Sequence, residues 1–95
     1  MDIIRWSNKV EKQFNKLPRH VLQKFRTWFR LVKQNGIREV RKMSGYHDEP
    51  LKGNRQGQRS IRLSLSYRAI YVEYIEIKSR DSTIIEIIEV SKHDH

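Results

Sequence analysis

The chain has 95 residues, no cysteine and a formal net charge of +9, with Lys and Arg outnumbering Asp and Glu 20 to 11. That length predicts one domain with a modest core, and the missing cysteines exclude a disulfide framework and a thiolate metal site. No run nears the roughly 20 apolar residues of a membrane-spanning helix, and the opening MDIIRWSNKV lacks an apolar stretch of signal-peptide length, so the expectation is a soluble, cytoplasmic protein.

Residues 2–6, DIIRW, read as a first or edge strand. Ser7 then offers an N-cap. Val10, Phe14 and Leu17 follow at helical spacing, and Pro18 suits the first turn of a second helix, where its missing N–H costs nothing. Residues 19–34 carry the strongest helical pattern. Val21, Leu22, Phe25, Trp28, Phe29 and Val32 make one apolar stripe, read as core, and Asn35-Gly36 supplies a stop. The two helices are expected to form a hairpin on a sheet. Residues 37–43 allow one or two further helical turns, ended by Ser44-Gly45.

Glu49 precedes a proline and is therefore biased to extended backbone, so EPLK at 49–52 reads as a strand or its beginning. Gly53-Asn54 and Gly57 mark a turn. Residues 59–66, RSIRLSLS, alternate as a strand does, with Ile61, Leu63 and Leu65 on one face. Residues 68–77 make another strand and 79–82 a turn. Residues 83–90, TIIEIIEV, have a spacing that also suits a helix, but their β-branched content favours a strand. The predicted class is α+β: an N-terminal strand and helical hairpin packed on a small, mainly antiparallel sheet.

The charge is unevenly placed. Residues 1–45 hold 12 Lys/Arg against 3 Asp/Glu, whereas residues 46–95 hold 8 of each. Such a field attracts phosphate backbones, acidic proteins or anionic lipid. Within the second half, the segment from Pro50 to Val72 contains no acid at all, and Asp48 and Glu49 stand at its lip.

No Walker, dinucleotide-binding, HExxH or GxSxG motif is present. His93 and His95 with Asp94 have the ligand types for zinc, but a chain end offers no preorganised geometry, and neither metal nor cofactor is expected. Cleavage of RNA needs none: a base takes the 2′-OH proton, cations stabilise the charge on phosphorus, and an acid protonates the departing 5′ oxygen. Glu49 is a candidate base. Lys52, Arg55, Arg59, Arg62 and Arg68 are candidate phosphate donors, and Tyr67 a candidate for stacking on a base. His93 and His95 are candidate acids, since imidazole exchanges a proton near neutral pH. His20 falls in the helical region and His47 sits two residues from the base, and neither is chosen. The residues alone equally allow a surface ion pair of Glu49 with Lys52 or Arg68, solvated arginines and an unstructured tail.

The run EPLKGNRQGQRSIRL, the following YRAIY at 67–71 and the final EVSKHDH resemble type II toxins of the RelE/ParE superfamily, in particular the RelE, HigB and YoeB-like mRNA interferases. The opening IIRWS and the element order extend the resemblance over nearly the whole chain as a single RelE-like domain, residues 1–95. It implies a ribosome-associated, metal-independent endoribonuclease that cleaves mRNA, blocks translation and is neutralised by an acidic, partly disordered antitoxin. It implies Glu49 as general base, Lys52 as a phosphate contact, Arg68 as the donor to the transition-state phosphate, and the C-terminal HDH as the source of the acid. The ending departs from the family pattern, because related chains often finish on tyrosine and some have histidine where Asp94 stands. Two other functions suit the same fold and charge: a ParE-like inhibitor of DNA gyrase without nuclease activity, and a nucleic-acid-binding module without catalysis.

Overall fold

The computed structural model describes residues 2–75 and 82–92. Strand β1 (Ile3–Trp6) leads into helix α1 (Asn8–Phe14), and the Ser7 hydroxyl caps α1 by accepting from the Val10 N–H at 3.3 Å. Helix α2 (Arg19–Asn35) begins directly after Pro18 and stops at Gly36, whose φ of 86° suits glycine. The short helix α3 (Ile37–Arg41) follows at once, and its first free N–H, on Ile37, is capped from a distance by the Asp2 carboxylate at 2.7 Å.

Four more strands complete the chain: β2 (Glu49–Pro50), β3 (Arg59–Arg62), β4 (Tyr67–Ile75) and β5 (Thr83–Lys92). They form one sheet in the order β1-β5-β4-β3-β2, antiparallel throughout except for the parallel pair β1–β5. The predicted α+β class and the predicted strand character of 83–90 are both seen.

Helices and sheet meet in an aromatic core. Val21, Phe25, Trp28 and Val32, at the inner positions of the α2 stripe, are buried against Ile61, Tyr71, Ile85 and Ile87 from β3, β4 and β5. Trp28 stacks at 5.8 Å from Tyr71, and Phe14 of α1 at 4.5 Å from Phe25. A register shift lies in the β4–β5 ladder, where Ile70 pairs with Glu89 but Tyr71 pairs with Ile87. The extra residue, Ile88, resets the alternation so that Val90, Ile87 and Ile85 all point to the helices. This reset makes the apolar spacing of β5 look partly helical in one dimension. The Gln13 side chain of α1 accepts from the Val90 N–H beside the shift at 2.8 Å.

The strand expected over 59–66 ends at Arg62. Residues 63–66 turn instead, because the Ser64 hydroxyl accepts from the N–H groups of both Ser66 and Tyr67 at 3.1 Å. A serine that bonds its own local backbone competes with a strand ladder. The turn buries Leu63 and throws Leu65 outward, 83% exposed, against the expectation that it shares a face with Ile61. Residues 76–81, expected to hold a strand end and part of a turn, lie outside the described residues. None of the described helices is long and apolar enough to cross a membrane.

The turn at 63–66 separates two chemically alike leucines. Leu63→Ala should lower stability by about 2–5 kcal/mol in urea unfolding, the usual loss for a buried leucine. Leu65→Ser should stay within about 0.5 kcal/mol of wild type. Equal losses would restore the longer strand.

Candidate functional site

The β2–β3–β4 corner has two faces, and the chain assigns opposite chemistry to them. On the inner side, Asp48 is held almost completely out of solvent, its side chain 1% exposed. Its carboxylate accepts from Arg59 Nε at 2.6 Å and from the Tyr71 hydroxyl at 2.5 Å. Arg41 of α3 lies alongside, with its Nε 3.9 Å from Asp48, while its terminal nitrogen donates to the Tyr71 hydroxyl and pairs with Glu73. Burial, with the hydrogen bond and charge of Asp48, pushes the Tyr71 hydroxyl well above its ordinary pKa, so it remains a donor. Burial alone disfavours the Arg59 cation, but the Asp48 hydrogen bond and charge outweigh it and raise its pKa.

On the outer side, backbone pairing sets Glu49 opposite Ser60, and Arg62 opposite Arg68. Residues directly opposite in an antiparallel ladder share a face, so Glu49, Arg62 and Arg68 project together. They line one hollow of about 310 Å³, with Tyr67 and His47 also in its wall. Two arginines in a direct cross-strand pair repel one another, and an anion between them would relieve that cost. Glu49 is exposed at the rim.

Arg68 also lines a second, shallower depression with Arg55 and Glu89. Arg55 donates to Gln58 at 2.7 Å and to Glu89 at 2.9 Å. Burial works against the Glu89 carboxylate, but hydrogen bonds from Arg55 and Ser91 and the charges of Arg55 and Arg68 prevail and hold it below its ordinary pKa.

The structure thus brings together Glu49, Arg62, Tyr67 and Arg68. It sets Arg55 beside them, already paired with an acid, and turns Arg59 inward to Asp48. Lys52 is exposed ahead of the 3₁₀ turn Gly53–Arg55 and does not line the hollow. His93 and His95 lie outside the described residues. Two residues given no role from the sequence stand out here: Asp48 is a buried anchor, and His47 lines the hollow. The signal for Asp48 was present, because adjacent side chains in an extended segment point to opposite sides, so an outward Glu49 requires an inward Asp48. No group of three or more His, Asp or Glu among the described residues is placed to hold a metal ion.

No family model matches the chain, and no curated protein matches it. Solved structures do. A YoeB/ParE toxin from Agrobacterium tumefaciens superposes with a TM-score of 0.70 at 18% identity, over 97% of this chain and 99% of that one. YafQ from E. coli gives 0.66 at 20% identity, covering 98% and 94% of the two chains. The toxin–antitoxin complex RelBE2 from Mycobacterium tuberculosis gives 0.63 at 20% identity, covering 96% of each. The chain shares the fold of these toxins. In this RelE/ParE fold the helices cover one face of the sheet, and the hollow opens at the β2–β3–β4 corner of the other.

Removing the Asp48 carboxylate leaves Arg59 and Arg41 facing an empty buried site. Asp48→Ala should cost about 3–5 kcal/mol in chemical denaturation, the scale for breaking a buried ion pair from one side. A near-neutral result would remove Asp48 as the anchor of this corner. The Glu89 pairing has a pH signature. A carboxylate whose folded pKa is depressed stabilises the fold above its unfolded pKa, and that stabilisation is lost as pH falls through the folded value. The stability gap between wild type and Glu89→Gln should therefore be present at neutral pH and close on acidification below the carboxylate range. A gap that widened in acid would reverse the assignment.

Proposed function

We propose that the chain is the toxin of a type II toxin–antitoxin pair, a single RelE-like domain that cleaves mRNA on the ribosome without a metal. The observation that carries this reading is the shared face of Glu49 with the cross-strand pair Arg62–Arg68 at one hollow. A carboxylate beside this cationic pair is placed to take the 2′-OH proton. Arg68, opposite Arg62, donates to the phosphate oxygens as charge builds on them. Lys52 and Arg55 extend the cationic track along the RNA, and Tyr67 offers a stacking face. Arg59 acts from behind by holding Asp48. The resemblance assigns protonation of the leaving oxygen to His93 or His95.

Antitoxin complexes are known among the similar structures, including a YoeB–YefM complex from Staphylococcus aureus and a DinJ–YafQ complex from E. coli. By the same reading this chain has a cognate antitoxin, acidic where it meets the basic surface and partly disordered before binding. The excess charge of residues 1–45, much of it carried on α1 and α2, supports attraction to ribosomal RNA as well. Such a toxin works in the bacterial cytoplasm.

Expression in a bacterium, with the 5′ ends of a translated message mapped, tests this. Wild type should stop growth and create new message ends, and Glu49→Gln should create none. Arg68→Ala should cut about 10²–10³-fold more slowly, the typical loss of one preorganised donor. Unbroken messages with collapsed DNA supercoiling would instead show a gyrase inhibitor.

A further inference from the structure

His47 is the residue of the hollow that the proposed mechanism leaves unused. It lines the same cavity as Glu49, Arg62 and Arg68, and it is exposed. Its backbone is left-handed, with φ 45° and ψ 47°, and it is the one non-glycine residue with positive φ among those described. That conformation costs a side-chain-bearing residue about 1–2 kcal/mol. Glycine would relieve the cost, and histidine, like asparagine and aspartate, adopts this region more readily than most residues. Strain of this kind persists where surrounding structure enforces it, and it concentrates at functional sites.

The enforcement is visible on both sides. Tyr46 is buried, 6% exposed, with the Lys24 ammonium 4.8 Å from its ring centroid. Asp48 is locked by Arg59 and Tyr71. The His47 N–H itself donates to the Ser44 carbonyl at 3.2 Å. The backbone from which the imidazole projects is thus held between two fixed residues.

We infer that His47, in place of His93 or His95, is the general acid of this site, donating its proton to the 5′ oxygen that leaves the phosphate. The inference rests on the RNA-cleavage reading above. In the step, the 2′ oxygen bonds to phosphorus as its proton passes to Glu49. The bond from phosphorus to the 5′ oxygen breaks, and that oxygen takes the His47 proton. The products are a 2′,3′-cyclic phosphate and a free 5′-hydroxyl, and proton exchange with water restores both side chains. Glu49 and His47 line one hollow with Arg62 and Arg68, so base, acid and phosphate donors share a single site.

The variant to use is His47→Asn, since asparagine tolerates left-handed backbone and keeps the loop. Its single-turnover rate on a ribosome-bound message should fall about 10²–10⁴-fold, the range for a positioned acid. A message with sulfur as the 5′-bridging atom, which leaves without protonation, should be cut by His47→Asn at the wild-type rate. A loss of the same size on both messages, or no loss on either, overturns the assignment. So does a sulfur-rescued loss in a chain lacking residues 93–95 when His47→Asn cuts normally. If wild type cuts neither message, the nuclease reading falls and this inference with it. If wild type cuts, Glu49→Gln does not and His47→Asn matches wild type, only the acid assignment falls.

Discussion

The buried carboxylate of Asp48 organises the functional corner of this protein. A carboxylate held out of solvent needs charged and hydrogen-bonding partners, since an unpaired buried charge costs several kcal/mol. It finds them on three separate elements: Arg41 on α3, Arg59 on β3 and Tyr71 on β4. A helix and two strands are thereby tied to the residue between His47 and Glu49. The two-residue strand β2 is too short to fix its own position through two backbone pairs. The side chain of Asp48 supplies what the ladder cannot.

From that anchor the separation of the two faces follows. Extended backbone alternates its side chains, so the inward Asp48 sends Glu49 outward, and the inward Ile61 sends Arg62 outward. The ladder then places Arg62 against Arg68. Three residues that reach the hollow each have a neighbour whose burial holds them there: Asp48 for Glu49, Ile61 for Arg62 and Ala69 for Arg68. Core packing and site geometry are one constraint in this corner, and a core change there should be felt as a change in the site. The same corner exposes Leu65 beside the arginines, on a turn made by the Ser64 hydroxyl rather than by hydrophobic burial. An exposed apolar side chain next to a cationic hollow is suited to a ligand with both phosphate and a flat base.

The fold is shared with toxins at about one-fifth sequence identity, over nearly the full length of each chain. At that distance the likeness is one of fold, and chemistry has to be argued from the hollow itself. The acidic residues of the second half are largely committed within the described residues: Asp48 to Arg59, Glu73 to Arg41, Glu86 to Arg5 and Glu89 to Arg55. Among the described residues Glu49 makes no ion pair, and it stands exposed at the rim of the hollow.

Much of the fold was legible in one dimension because local rules wrote it. The Ser7 cap, the α2 stripe, the Gly36 stop and the β-branched run of β5 each depend on neighbours within a few residues. Glu49 and Arg68 stood out for a related reason, as chemistry-bearing residues around an acid-free segment and within stretches that resemble toxin motifs. Tertiary structure decided the rest. Which arginine faces the hollow and which is spent on Asp48 depends on strand register, and β3 is aligned by contacts with residues far away in the chain. The early end of β3 turned on one serine hydroxyl preferring its own backbone, a choice that alternation cannot reveal. His47 entered the site for the same reason: sequence sees its distance from Glu49 along the chain, while its place in the wall depends on the buried anchors at either side. Composition and periodicity report what a residue is and what lies next to it. The charge network around Asp48 joins residues from 41 to 73, and only the folded chain brings them within bonding distance.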